Sequence, residues 1–237
     1  MFETIDLQQV LVLDIETVPQ FASWQEVPLH FADLWELKTR SLRKESETAE
    51  EYYQRAGIWA EFGKVVCISV GIFNGKPPET GLRIKSFSGD DERLILEDFI
   101  SLLNRQPASL CLCAHNGKEF DFPYLCRRML INGLKLPKQL NMAGKKPWEV
   151  GHLDTMELWK FGDYKNYTSL NLLAAVFGIP TPKNDIGGAD VGRVYWVEGD
   201  VQRISNYCQK DVITTAQLLL RFKGLPLVTE NNITIVT

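Results

Sequence analysis

The chain lacks several features that would place it in a class at once. It has no net positive charge: 26 Lys and Arg stand against 30 Asp and Glu, a formal charge of −4. No global basic field therefore coats it for nucleic acid, although a local basic groove stays open. It has no Cys-x-x-Cys pair among its five cysteines, and only three histidines. Cys111 and Cys113 alternate inside an apolar run, which suits buried thiols in a reducing compartment. His30 and His152 have no ligand spacing, so a zinc set is not indicated. No apolar run reaches membrane-spanning length, and no basic stretch followed by an apolar core opens the sequence. A soluble, cytoplasmic protein with no membrane partner is expected. Internal repeats and low-complexity tracts are absent too. What is left, 237 residues of which 45% are apolar, suits one large domain or a domain with an insertion.

The stretch with most content is residues 10–17, Val-Leu-Val-Leu-Asp-Ile-Glu-Thr. A short Val-rich apolar run reads as a strand buried on both faces. Residues two apart in a strand point the same way, so Asp14 and Glu16 project together from its C-terminal end. Two such carboxylates repel one another and lose solvation unless a positive charge sits between them. Asp-x-Glu is a cheap pattern, however. The second copy, Asp90 and Glu92, reads as an acidic helix N-terminus.

Around that strand the chain reads in order. Residues 20–62 form a helical insertion, with a charged, sparsely apolar block over 38–51. Strands over 64–73 and 82–87 make an antiparallel pair around Asn74-Gly75. A helix follows with apolar period at Leu94, Ile95, Phe99, Leu102 and Leu103, ending before Pro107. Then come a buried strand over 110–114, a helix over 123–131 stopped by Asn132-Gly133, and a short strand over 150–154. Helices near 168–177 and over 200–222 close the pattern, and residues 224–237 are a tail that either adds an edge strand or stays loose. The order predicts an α/β fold with a mixed central sheet and helices on both faces.

Two further acids fall where such sheets bind ligands. Asp121 follows the strand over 110–114, at the strand's C-terminal end; the bland alternative is an N-cap ahead of Pro123. Asp211 lies on the apolar stripe Val201, Ile204, Cys208, Val212, Thr215, Leu219, and an ionised Asp facing a core must be paired or hold a metal. Tyr207 is four residues before it, on the same face. Together Asp14, Glu16, Asp121 and Asp211 offer hard oxygen ligands, which select Mg²⁺ or Mn²⁺.

At this point the three blocks Asp-Ile-Glu-Thr, Asn-Gly-Lys-Glu-Phe-Asp and Tyr-Cys-Gln-Lys-Asp resemble the three motifs of the DEDD 3′–5′ exonucleases, in the tyrosine-containing subgroup. Ala-His-Asn and His-Leu-Asp beside the middle motif look closest to the exonuclease domain of family B DNA polymerases and its stand-alone relatives. The resemblance spans residues 10–220. It implies a ribonuclease H-like fold, a single exonuclease domain over 1–237, and hydrolysis of the 3′-terminal phosphodiester of DNA, single-stranded by expectation, by two Mg²⁺ or Mn²⁺ ions about 3.5–4 Å apart. It also implies roles: Asp14 bridging, Glu16 and Asp211 on the ion that activates water, Asp121 on the other, and Tyr207, protonated at neutral pH, orienting water.

For holding substrate, residues 122–148 contain no acid but carry Arg127, Arg128, Lys135, Lys138, Lys145 and Lys146, either a phosphate track or a solvated basic face. Thr17, Asn116 and Phe120 lie beside the acids and match family positions that touch the terminal nucleotide. Phe122, Trp148, Tyr164 and Tyr167 are candidates for base stacking, against ordinary core packing. Asp154 reads as a helix cap and His115 as structural. Two rivals share the fold: an exoribonuclease trimming RNA 3′ ends with the same residues, and a non-catalytic nucleic-acid-binding module. Discrimination of RNA rests on how a pocket treats the 2′-hydroxyl, which no motif here reports.

Overall fold

At the centre lies β1 (Val10–Pro19), and the alternation of its side chains builds both halves of the core. Leu11, Leu13 and Ile15 enter one apolar cluster, while Val10 and Val12 enter the other. The computed structural model describes residues 2–77, 79–163, 165, 167–181 and 185–236. Around β1 stand β2 (Gly63–Asn74), β3 (Gly81–Ser88), β4 (Cys111–Ala114), β5 (Leu153–Asp154) and β6 (Ile233–Val236). They form one sheet in the order β5-β4-β1-β2-β3-β6. β1 runs antiparallel to β2, as β2 does to β3. The outer pairs β1–β4, β4–β5 and β3–β6 are parallel. The sheet is thus mixed, as the sequence pattern predicts.

Helices cover both faces. On one lie α3 (Glu92–Asn104) and α4 (Asp121–Ile131), whose Leu96, Phe99, Leu103, Leu125 and Met129 bury against Leu11 and Leu13. Each such fully buried side chain contributes roughly 1.5–3 kcal/mol. On the other lies α8 (Val201–Phe222), capped by Asp200, whose side chain accepts from the Arg203 N–H. Its Val212, Ala216 and Leu219 pack on Val10 and Val12. The approach is close: a Cβ at Gly71 would lie 2.8 Å from Val212 Cγ1, so glycine there lets α8 sit down on β2. The short helices α5 (Thr155–Lys160), α6 (Leu170–Val176) and α7 (Val191–Arg193), with a π-helical turn at Val194–Glu198, flank α8.

Between β1 and β2 the chain is helical in pieces: α1 (Leu29–Thr39), α2 (Ala49–Tyr52) and a 3-10 turn at Tyr53–Ile58. Its small core is aromatic rather than aliphatic. Trp35 is fully buried among Tyr52, Tyr53 and Phe62 and donates its Nε1 proton to the Ala49 carbonyl at 2.8 Å. Leu29, Leu34 and Leu37 are exposed instead. Thr48 and Glu51 form a capping box that starts α2.

Two local expectations change and one left open is decided. α4 begins at Asp121, two residues before the sequence pattern suggested, because Pro123 fits the first turn, where an N–H has no partner to lose. The strand around 150–154 shrinks to Leu153–Asp154, held by pairing to Cys113 and Ala114. The tail supplies β6, an edge strand parallel to β3. Among the described residues no helix is long and apolar enough to cross a membrane.

Candidate active site

The β1 alternation that buries Val10 and Val12 under α8 sends Asp14 and Glu16 the same way, to the strand's C-terminal end. Glu16 is buried, and the β1–β2 register shifts immediately after it, between Glu16 and Thr17. Such a bulge re-aims side chains at the rim of a sheet. α8 brings Tyr207 and Asp211 over the same point, because its apolar stripe is anchored on the sheet one turn further on. Asp121 arrives from the opposite layer: as the first residue of α4 it is 4% exposed, and the backbone N–H groups of Ile15 and of Asp121 itself donate to its carboxylate. It is therefore a buried residue of the helix rather than its N-cap, which is Phe120.

The four carboxyls lie close enough to govern one another's protonation. Burial pushes Asp14 well above the usual carboxylate range, and Asp121 and Asp211 push it further. Glu16 is raised by burial, then by Asp14 and Asp211. Asp121 is pushed up to about 7, chiefly by burial. Asp211 is pushed up to about 6 by burial, with the Tyr207 hydroxyl and Lys210 pulling it back. Tyr207 is itself held protonated by burial and by the acids around it. Asp14 Oδ2 is buried with no hydrogen-bond partner. A cluster of this kind carries a standing need for positive charge, and oxygen donors of this number and hardness fit divalent Mg²⁺ or Mn²⁺.

Two residues join the site without having been singled out for it. One carboxylate oxygen of Asp14, one of Glu16 and the Cys208 Sγ all lie within 4.8 Å of one another. Cys208 was legible only as part of an apolar stripe. Asp154 does cap α5, accepting from Met156 and Glu157, but it also accepts from the backbone N–H groups of Asn116 and Lys118 at 3.0 and 3.1 Å. It thereby pins the loop ahead of Asp121, where Asn116 takes φ 62° and Gly117 passes so near Ala114 that a Cβ would fall 2.4 Å away. A carboxylate that caps its own helix gives no sequence sign of reaching a loop 38 positions back.

The neighbours divide. Asn116 has a buried Oδ1 without a partner, Phe120 packs on Tyr124 at 5.3 Å between ring centroids, and Thr17 meets the Tyr124 hydroxyl; these three adjoin the acids. Arg128, expected on the phosphate track, is instead 4% exposed and committed to Glu92, with Nε–Oε1 at 2.8 Å and Nη2–Oε2 at 2.5 Å. The reason is that α4's inward face meets the first residue of α3, and Glu92 also accepts from the Val65 N–H. Phe122, a stacking candidate, is fully buried in the core. Arg127, Lys145 and Lys146 are exposed. Lys145 stands with Lys138, Gln139 and His152 around a cavity of about 210 Å³ at the N-terminal end of β4, away from the acids. Trp148 and Tyr167 are exposed, and Tyr164 lies outside the described residues. Both ring nitrogens of His115 are engaged, with Thr155 Oγ1 and the Thr168 carbonyl.

Comparisons with known proteins bear on the family and the fold. Residues 58–231 match the profile of a family described as predicted 3′–5′ exonuclease related to the exonuclease domain of PolB. That span takes in Asp121, Tyr207 and Asp211 and begins after Asp14 and Glu16. A DNA polymerase of Archaeoglobus fulgidus is 28% identical over 134 residues, covering 53% of this chain and 17% of the polymerase. Human three prime repair exonuclease 2 is 45% identical over 38 residues, 16% of each protein. The chain thus spans under a fifth of the length of these curated relatives. Among solved structures, the family B DNA polymerase of Pyrobaculum calidifontis superposes with a TM-score of 0.52 at 18% identity, over 90% of this chain and 24% of the polymerase. That likeness establishes the fold, ribonuclease H-like with a mixed sheet between helices.

Proposed function

The chain belongs to the family of predicted 3′–5′ exonucleases related to the exonuclease domain of PolB, and from that premise we propose that it removes nucleotides from the 3′ ends of single-stranded DNA by divalent-metal-dependent hydrolysis. The observation that carries the reading is the convergence of Asp14, Glu16, Asp121 and Asp211 from two helices and one strand, with Asp14 Oδ2 buried and unpartnered. A binding module would have no use for four desolvated carboxylates whose pKa values are all raised around one strand end.

In this reading Asp14, Glu16, Asp121 and Asp211 hold two Mg²⁺ or Mn²⁺ ions, the tyrosine-containing form of the DEDD set. Bound there, the cations supply charge neutralisation at the scissile phosphate and polarise the attacking water. The chain's own groups do the rest. Tyr207 keeps its proton, so it orients water through its hydroxyl instead of acting as a base. Asp154 fixes the loop that presents Asn116 and Asp121. Asn116, with its free Oδ1, and Phe120 line the position of the terminal nucleotide. Arg127, Lys135, Lys138, Lys145 and Lys146 are the exposed cations left for a phosphate path.

The test is digestion of matched 5′-end-labelled single-stranded DNA, duplex DNA and RNA with Mg²⁺ or Mn²⁺, against EDTA controls. Stepwise shortening of the single-stranded DNA is expected, with none in EDTA or in Asp14→Ala and Asp211→Ala proteins. Preferential shortening of RNA would transfer the assignment to 3′-end trimming of RNA. No hydrolysis of any substrate, or full activity in Asp211→Ala, would overturn it.

A further inference from the structure

The catalytic acids share their pocket with a ligand of the opposite chemical character. Cys208 follows Tyr207 on α8 and is 0% exposed, yet its Sγ comes within 4.8 Å of carboxylate oxygens of both Asp14 and Glu16. Among the described residues this is the one group of three metal-ligating side chains brought together at that spacing. Hard Mg²⁺ takes oxygen ligands and has little use for sulfur, whereas Zn²⁺ and Co²⁺ accept mixed thiolate and carboxylate sets and bind such sites far more tightly.

The set is pre-organised. Asp14 and Glu16 are two apart on one strand face, and α8 is locked against β2 by the contact of Val212 with Gly71. Asp14 Oδ2, buried without a partner, has lone pairs to offer. We propose that Asp14, Glu16 and Cys208 form a three-ligand site for a thiophilic divalent cation, Zn²⁺ above all, which displaces the hard cations and switches the nuclease off. The binding stands on the geometry of these three side chains alone; the inhibition rests on the function proposed above.

On binding, a metal–sulfur bond forms as the S–H bond breaks. The thiol proton, now directed at the Asp14 carbonyl 3.3 Å away, leaves to solvent, and no electron is transferred. Three protein ligands leave the fourth tetrahedral position for water. Cys67 adjoins the Cys208 thiol and contacts Ser69 Oγ at 3.7 Å, but it is not among the three grouped ligands.

Cobalt reports the sulfur ligand directly, because a thiolate–Co²⁺ bond absorbs in the near ultraviolet. The EDTA-stripped 237-residue chain titrated with Co²⁺ is expected to develop that band to saturation at one equivalent. One equivalent of Zn²⁺ should bleach it and a large excess of Mg²⁺ should not. Cys208→Ser and Cys208→Ala should lose the band, and with it about 100-fold or more in Zn²⁺ affinity, since even supporting groups cost 10–100-fold. Cys67→Ser should keep it. A band absent from the wild-type protein, or surviving in either Cys208 variant, overturns the proposal. Should both Cys208 variants fail to fold, Glu16→Gln decides through the thiolate band: a band that saturates at the same Co²⁺ concentration overturns the site, and one that needs more Co²⁺ supports it, because the sulfur then shares its ion with Glu16. Zn²⁺ titrated into the Mg²⁺-dependent nuclease assay should inhibit the wild-type protein and spare Cys208→Ser. A protein that shows the cobalt band but hydrolyses nothing would defeat the proposed function and leave the site standing.

Discussion

Replacing Asp121 with Asn should abolish hydrolysis and, in the same molecule, strengthen the metal-free fold at alkaline pH. The Asp121 carboxyl is 4% exposed and is held at about 7 where an unburied aspartate titrates at 3.8. An acid whose folded pKa is raised keeps its proton longer in the folded than in the unfolded chain. Between about pH 4 and pH 7 the folded state therefore binds more protons, and stability falls as pH rises through that window. Once ionised, the group costs the fold about 4 kcal/mol, at about 1.4 kcal/mol per pKa unit. Asparagine carries no charge and retains one carbonyl oxygen for the N–H groups that face Asp121, at the loss of about 1 kcal/mol of hydrogen bonding. The variant should thus gain about 3 kcal/mol over the wild-type protein at pH 8 and little at pH 5. In a chain of this size that is a Tm rise of roughly 6–12 °C. The measurement is guanidinium and thermal unfolding of EDTA-stripped protein at both pH values. A divalent cation at 100 times its Kd should stabilise the wild-type protein by about 2.7 kcal/mol and so close most of the gap. A variant no more stable than wild type at pH 8 would refute the claim that the four carboxyls crowd one desolvated pocket.

The other predictions concern single partners. Tyr207→Phe should slow hydrolysis by about 10- to 100-fold, at or below the lower end of general acid–base effects, while calorimetric Mn²⁺ binding stays unchanged; loss of binding would make it a ligand's support instead. Arg128→Ala strands the buried Glu92 and should cost about 3–5 kcal/mol in denaturant unfolding, with activity intact where the protein remains folded. Lys145→Glu with Lys146→Glu should weaken single-stranded DNA binding and flatten its salt dependence, the slope falling by about 1–2; unchanged affinity would leave these lysines off the phosphate path.

Much of this architecture was legible along the chain, because it rests on short-range periodicity. β1, β2 and β3 announce themselves by Val and Ile runs, α3 and α8 by apolar repeats, and Asp14, Glu16 and Asp211 by acids on faces that ought to be apolar. Hydrophobic periodicity told which way those side chains point. The basic run over 122–148 shows the limit of such reading. Its charge sum is a local property, but Arg128 is spent on Glu92, 36 positions earlier, and only helix packing decides that. Phe122 looked available for stacking and is core for the same reason.

By itself, then, the sequence marked the main strands and the long helices, the faces they bury, and four acids as a candidate site. Only the tertiary structure decided what stands beside those acids: Cys208 set against Asp14 and Glu16, Asp154 reaching back to the Asn116 loop, and Arg128 withdrawn from solvent. The physical reason is one of range. Backbone hydrogen bonding and burial repeat every two or 3.6 residues and leave their period in the chain, whereas a pairing between groups dozens of positions apart is made by the packing of whole elements and leaves no period at all.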